Sequence, residues 1–376
     1  MRREAPRADP PVAAAPPPDV AAAPPPAPEL PPEEELPAPI RRYLEATPYP
    51  GTSGRLTAAH DDLLHPNQRY ERPRPIPETL GGDPGAVAFT LFTADRYFYQ
   101  GDEVVHAWLE ARRGGAPMLL RVMRASARAE GDAGPVGPAR ALDFRWESDR
   151  LVTDLPLSRF ADHHGPIVLE VLYEWSPGAT QAESLRLFHT PTARIPARFT
   201  DDFQDSLSDG SLLLEVGIEV ELPGFYRVDA NLYDAAGRPV AFVVFKGELD
   251  RTDRAVPLEV YGKVLRDAGE PGPWTLRQVR GYRFLDGEFP DREIVPEHPG
   301  SWQTGEHSLD GFVDAPHVSD HERHVVQLML DDLARGISVE FPALPEPGPG
   351  APPPPQAFEA AAAPEPVTPP ASRPRE

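Results

Sequence analysis

The residues that could do chemistry gather in two places. Near the C-terminus stand His307, His317, Asp320, His321 and His324. Neutral imidazoles joined by a carboxylate can hold zinc. His321 and His324, three apart on a helix, would share one face. The run His321-Glu322-Arg323-His324 is one residue short of His-Glu-x-x-His, which removes the i, i+4 geometry of the zinc peptidases. His317, Asp320, His321 and His324 therefore stand as a zinc candidate, beside the plainer reading of surface histidines at a helix start. The second place is Asp201, Asp202, Asp205 and Asp209, followed by Gly210. Calcium favours such oxygen clusters. The EF-hand template fails here, because Leu207 is third and Val216 twelfth counted from Asp205. The plainer reading is a solvated loop between two domains. Calcium is the one cofactor these acids suggest.

Other reactive patterns are missing from the sequence. There is no Gly-x-Ser-x-Gly elbow, no phosphate-binding loop and no dinucleotide fingerprint. With no cysteine, thiolate metal sites, cysteine nucleophiles and disulfides are excluded. His163-His164-Gly165-Pro166 reads as an exposed turn before a strand. Glu219 and Glu221 share the wet face of a strand rather than a cleft, so a glycosidase pair is not indicated. Trp108, Tyr233 and Tyr261 suit either a carbohydrate platform or inter-strand packing. No catalytic residue is assigned, and a non-enzyme is expected. The formal charge of −22 argues against nucleic acid and anionic lipid as partners.

The elements that must position these residues are strands. Val105, Ala107, Leu109 and Ala111 alternate with His106, Trp108 and Glu110. Val87, Phe89 and Leu91 are read as one inward parity of an earlier strand. Ile167, Leu169, Val171, Tyr173 and Trp175 form a longer stripe. Leu212, Leu214, Val216, Ile218, Val220 and Leu222 keep one parity throughout, with acids on the other. Such period-two patterning marks half-buried strands. Several short strands at regular spacing imply sandwiches. The expected fold is all-β, two tandem immunoglobulin-like β-sandwiches with disordered Pro/Ala-rich termini and one short C-terminal helix. Of the 51 prolines, 26 lie in residues 1–40 and 345–376. Proline-rich segments of this kind favour extended spacers. The expected order is a stalk over 1–40, an extended leader over 41–85, sandwiches over 86–197 and 198–297, an appendage over 298–342 and a tail over 343–376. The leader is expected to lie along the first sandwich, anchored by Tyr43, Leu63, Leu64 and Tyr70. A helix is predicted over 320–335, because Ser319 and Glu322 fit a capping box and Gly336 can end it.

The stretch Gly224-Phe225-Tyr226, then Leu232-Tyr233-Asp234 with Gly237, then Leu258-Glu259-Val260-Tyr261-Gly262 and Gly272-Pro273-Trp274, resembles the β-sandwich module of bacterial secreted proteins of the choice-of-anchor X type. Asp95 to Val104 is similar to the opening of bacterial immunoglobulin-like domains. The resemblance covers about a quarter of the chain and carries no catalytic residues. It implies a structural or binding protein of the cell envelope, periplasmic or extracellular, with a protein or glycan partner. The start at Met1-Arg2-Arg3 lacks the apolar run of a signal peptide, so export would need a segment upstream of Met1. No run of about 18 apolar residues is present to span a membrane. Two alternatives stay open: a metal-dependent hydrolase using the C-terminal histidines, and a cytoplasmic scaffold with proline-rich recruiting arms.

Overall fold

Successive side chains leave a strand on opposite faces, so the alternating segments fold as sheets that bury one parity. The computed structural model describes residues 28–69, 73–76 and 87–338. Most of the two proline-rich arms, and Tyr70, lie outside the described residues. The chain divides into two compact units. The smaller, residues 1–41 and 319–340, includes a 3₁₀ turn at Glu33–Glu35, where the sequence suggested only stalk. In it Leu36, Ile40, Val326 and Met329 are buried. Its main helix, Asp320–Ala334, begins with the expected capping box between Ser319 and Glu322. Gly336, at φ +76°, follows its end.

The larger unit holds both sandwiches. Two leader strands, β1 (Ser53–Arg55) and β2 (Arg74–Pro75), come first. The first sandwich contains β3 (Ala88–Ala94), β4 (Phe98–Gln100), β5 (Val104–Arg113), β6 (Ala116–Pro117), β7 (Arg121–Gly131) and β8 (Gly134–Ala141). It continues with β9 (Arg145–Glu147), β10 (Arg150–Pro156), β11 (Gly165–Ser176) and β12 (Ala179–Thr190). One sheet runs β2-β3-β5-β10-β9 with β6 beside β5; the other runs β4-β12-β11-β7-β8. Val105, Ala107, Leu109 and Ala111 of β5 share a core with Ile167, Leu169, Val171 and Tyr173 of β11, as their parity predicts. Strand β3 has the opposite register to the expected one. Ala88, Thr90, Phe92 and Ala94 face inward, and Phe89 is 41% exposed. The small inward residues hid this choice, because an apolar count favours Phe89 and Leu91.

The second sandwich contains β13 (Ala197–Ser208), β14 (Ser211–Val220), β15 (Gly224–Tyr233), β16 (Pro239–Leu249) and β17 (Ala255–Val260). It closes with β18 (Thr275–Phe284), β19 (Arg292–Val295) and β20 (Trp302–Gln303). The sheet β13-β14-β17 packs against β1-β16-β15-β18-β19, with β20 beside β18. The five stripe residues from Leu212 to Val220 are buried in this core as expected, whereas the sixth, Leu222, lies past the end of β14. Tyr226 is fully enclosed and donates its hydroxyl proton to the backbone carbonyls of Pro196 or Leu222, a tie of the kind found at immunoglobulin tyrosine corners. Because Trp302 and Gln303 pair with β18 and Phe312 enters the core, this sandwich runs past residue 297.

The leader does not simply lie along the first sandwich. Strand β1 pairs with Ala241, Phe242 and Val243 of β16, at the edge of the second one. Leu56, fully buried, packs with Leu63 and Leu64 on Phe242 and Val244. This explains why β16 is apolar on both faces: the leader covers its outer side. Beyond Leu64 the chain crosses to the first sandwich, where the Asn67 side chain donates to the Phe98 carbonyl and accepts from the Phe98 amide, both at 2.7 Å. Arg74 and Pro75 then pair with Thr90 and Phe89. The leader thus touches both sandwiches. Leu56→Ala is expected to lower stability by about 3 kcal/mol, the usual range for a buried leucine cut to alanine, measurable by urea denaturation.

Candidate functional site

The acidic cluster and the histidines that looked like separate ligand sets meet as pairs. Residues 197–208 form an edge strand, not a loop, and place Asp201 and Asp205 beside the segment that follows β19. His307 Nε2 lies 2.6 Å from Asp205 Oδ2, and the Gly305 amide also donates to that carboxylate. The His307 ring stacks on buried Trp274. His298 Nε2 lies 3.1 Å from Asp201 Oδ1, while His298 Nδ1 accepts from the Gly300 amide. That acceptance places the ring proton on Nε2, facing Asp201. Asp202 meets the Thr200 hydroxyl, and Asp209 takes φ +49° at the β13–β14 turn. His317 lies in the larger unit, edge-on to Tyr261, with its amide donating to the Pro48 carbonyl. Asp320, His321 and His324 lie on the helix of the smaller unit, where His324 Nδ1 is 2.7 Å from the Asp320 carbonyl oxygen. Among the described residues no group of three or more His, Asp or Glu side chains converges to hold an ion.

What the sequence did not signal is the junction between the sandwiches. Glu293 of β19 has no exposed surface. Its carboxylate accepts from Arg194 Nε on the linker, and from Arg283 Nε and Nη2 of β18 at 2.9 and 2.6 Å. Arg194 also reaches Glu288 at 3.5 Å. Aromatic rings close the same seam: Phe188 stacks on Phe98 and meets Phe289 edge-on, and Arg292 lies over both Phe98 and Tyr282. The Thr190 hydroxyl accepts from the Ile294 amide at 3.2 Å. His164, read from sequence as an exposed turn residue, is half-buried here with neither ring nitrogen hydrogen-bonded. Burial pushes its pKa down from 6.5 to about 4, with Arg194 adding to the effect. His189, fully buried, has both ring nitrogens facing carbonyl oxygens, of His163 and Gly101. Its pKa is also lowered, chiefly by burial.

A cleft of about 420 Å³ opens beside β18, lined by Arg277, Gln278, Glu297, His298, Pro299, Gly300 and Ser301. Its floor is a β-bulge. Asp229 and Asn231 of β15 pair with Arg280 and Arg277, so β18 carries one extra residue. Gln278 absorbs it at φ +56°, a conformation uncommon outside glycine. Its side chain is pinned on every side: Oε1 accepts from Asn231 and Tyr233, and Nε2 donates to the Leu64 carbonyl of the leader. Because Leu276 and Val279 both face the core, the bulge brings Arg277 and Arg280 to the same outer face. On the wall, Gly300 allows the loop to close on His298, since a Cβ there would lie 2.8 Å from the imidazole. His298 in turn stacks on Trp302 at 4.0 Å. Glu297 stands exposed at the residue level, yet protein crowding its carboxyl raises its pKa against the pull of Arg280 and Arg96. The packed surroundings likewise lower the pKa of Arg280.

Comparison with known proteins assigns the chain no family and no role. No protein-family model matches the chain, and no curated protein matches it. Among solved structures, a DUF4785 family protein from Legionella pneumophila is 15% identical, with 59% of this chain and 58% of that one covered and a TM-score of 0.41. A three-immunoglobulin-domain fragment of titin is 10% identical over 57% of this chain and 64% of its own, with a TM-score of 0.19. A DUF3823 family protein from Parabacteroides merdae is 13% identical over 57% of this chain and 98% of its own, with a TM-score of 0.21. The chain thus spans less than two thirds of the Legionella and titin chains. The likeness to choice-of-anchor X modules rests on sequence alone. No helix among the described residues is long and apolar enough to cross a membrane.

Proposed function

We propose that the protein is a non-catalytic structural and binding module of the bacterial cell envelope, with its two sandwiches acting as one rigid body on a proline-rich arm. The junction around Glu293 carries this reading. A carboxylate with no exposed surface ties Arg194 of the linker to β18 and β19 of the second sandwich, which supports one relative setting because a swing of the linker would expose or unpair it at high cost. The leader, tied to both sandwiches, acts in the same direction. A body held this way suits spacing and presentation, and the cleft beside β18 is the surface through which it would meet a protein or glycan. The choice-of-anchor X resemblance and the proline-rich arms support placement at the envelope. Calcium at Asp201, Asp202, Asp205 and Asp209 has less support, since Asp201 and Asp205 are engaged by His298 and His307.

Fractionation of cells carrying the full genomic reading frame tests the placement. The protein is expected with the periplasmic or membrane-associated fraction. Recovery wholly in the cytosol would overturn it and favour the scaffold reading.

A further inference from the structure

We infer that the seam between the two sandwiches is an acid-released joint, in which protonation of His164 undocks them while both cores stay folded. The inference rests on the rigid docking proposed above. His163, His164 and His189 lie together in the first sandwich, and their surroundings differ. His163 Nε2 lies 2.9 Å from the Pro166 carbonyl oxygen, and both ring nitrogens of His189 face carbonyl oxygens. His164 has no such neighbour. Both its ring nitrogens are shut off from solvent, and neither has a hydrogen-bond partner among the described residues. A neutral ring tolerates this at modest cost. An imidazolium would bring a charge and two N–H donors to a place without an acceptor. Water supplies those acceptors once the seam opens. Proton binding therefore favours the open arrangement, and by linkage acid favours opening.

The turn that carries His164 belongs to the seam. A Cβ on Gly165 would lie 3.6 Å from Pro290 Cδ, in the hairpin between β18 and β19. The charged and titratable groups facing His164 are Arg194 of the linker, Glu288 of that hairpin, Glu293 of β19 and the adjacent His163. Arg194 and His163 oppose its protonation. Glu288 and Glu293 favour it, but both are engaged by Arg194. Burial is the largest influence and acts against the charged ring. The direct ties across the seam can part without unfolding either side. They include the edge contact of Phe188 with Phe289, Arg292 over Phe98, and the Ile294 amide on the Thr190 hydroxyl. The two apolar cores are separate clusters, so each sandwich keeps its own when the seam opens.

Hydrogen exchange of the full chain tests this, read at the Ile294 amide on the seam and at the Val216 amide in the second core. Protection, corrected for the intrinsic effect of pH on exchange, measures how often each amide opens. At pH 7.5 Ile294 is expected to be protected, though less than Val216. Between pH 7.5 and 5 its protection should fall by about tenfold, the size expected of a half-buried imidazole, and stay below that of Val216 throughout. His164→Leu should lose most of that fall. Three results would overturn the inference: protection at Ile294 that does not change with pH, protection equal to that of Val216 at every pH, or an undiminished fall in His164→Leu. The first and third would leave the docking at pH 7.5 standing. An Ile294 amide already unprotected at pH 7.5 would overturn the rigid docking, and the inference with it.

Discussion

Replacing Glu293 by alanine is expected to lower stability by about 3 kcal/mol and to split unfolding into two transitions. Removing one partner of a buried ion pair leaves the other charges uncompensated, which typically costs about 3–5 kcal/mol. The lower end applies because both arginines keep something: Arg194 retains Glu288, and Arg283 still donates to the Pro223 carbonyl. The apolar core of each sandwich is a separate cluster of which Glu293 is not a member, so each sandwich should persist alone. Differential scanning calorimetry reads both effects. Glu293→Gln preserves an acceptor of the same shape and should fall between wild type and alanine. A single transition in Glu293→Ala, within about 0.5 kcal/mol of wild type, would mean that Glu293 does not couple the two sandwiches.

Acidification is expected to weaken the same junction. His164 titrates near 6.5 in an ordinary setting and at about 4 in the folded chain. Between these values the unfolded chain binds the proton and the folded chain does not. Stability therefore falls as pH drops from about 6.5 towards 4, and this group contributes no further change below that. The charged groups facing it are Arg194 and His163, which oppose protonation, and Glu293 and Glu288, which favour it. A fully enclosed group with this shift would be worth about 3 kcal/mol. Solvent screening of a half-buried imidazole brings the expected loss to about 1–2 kcal/mol. Urea midpoints measured from pH 7.5 to 4 should show this slope, and His164→Leu should flatten most of it. The buried His189, whose pKa is also lowered by burial, adds to the slope in the same direction. A variant with the wild-type slope would remove His164 from the account.

The sandwiches were legible because their cores are written as parity. Leu212 to Val220 and Val105 to Ala111 leave one register that hides the apolar set. Strand β3 was misread because its inward residues are small; β8 offers no parity to read, because Gly134, Pro135, Gly137 and Pro138 interrupt it. The acids at 201–205 were recognised as a chemical cluster, but their histidine partners lie about 100 positions away, and no local spacing joins them. Glu293 gave no sign at all: an acid beside Arg292 and Ile294 reads as a solvent-facing position, and only the docked linker encloses it. The bulge at Gln278 was equally silent, since glutamine is not a residue that advertises a left-handed backbone. The reach of the leader onto β16 was hinted at by the unbroken apolar run Val240 to Val244, which asked for a cover on its outer face.

The central claim is that the two sandwiches form one rigid body. Because the chain contains no cysteine, spin labels can be placed cleanly at Thr180→Cys in the first sandwich and Glu219→Cys in the second, both exposed positions. Double electron–electron resonance should give one narrow inter-label distance at pH 7.5 that broadens in Glu293→Ala. A broad or multi-peaked distribution in the protein with Glu293 intact would contradict the account.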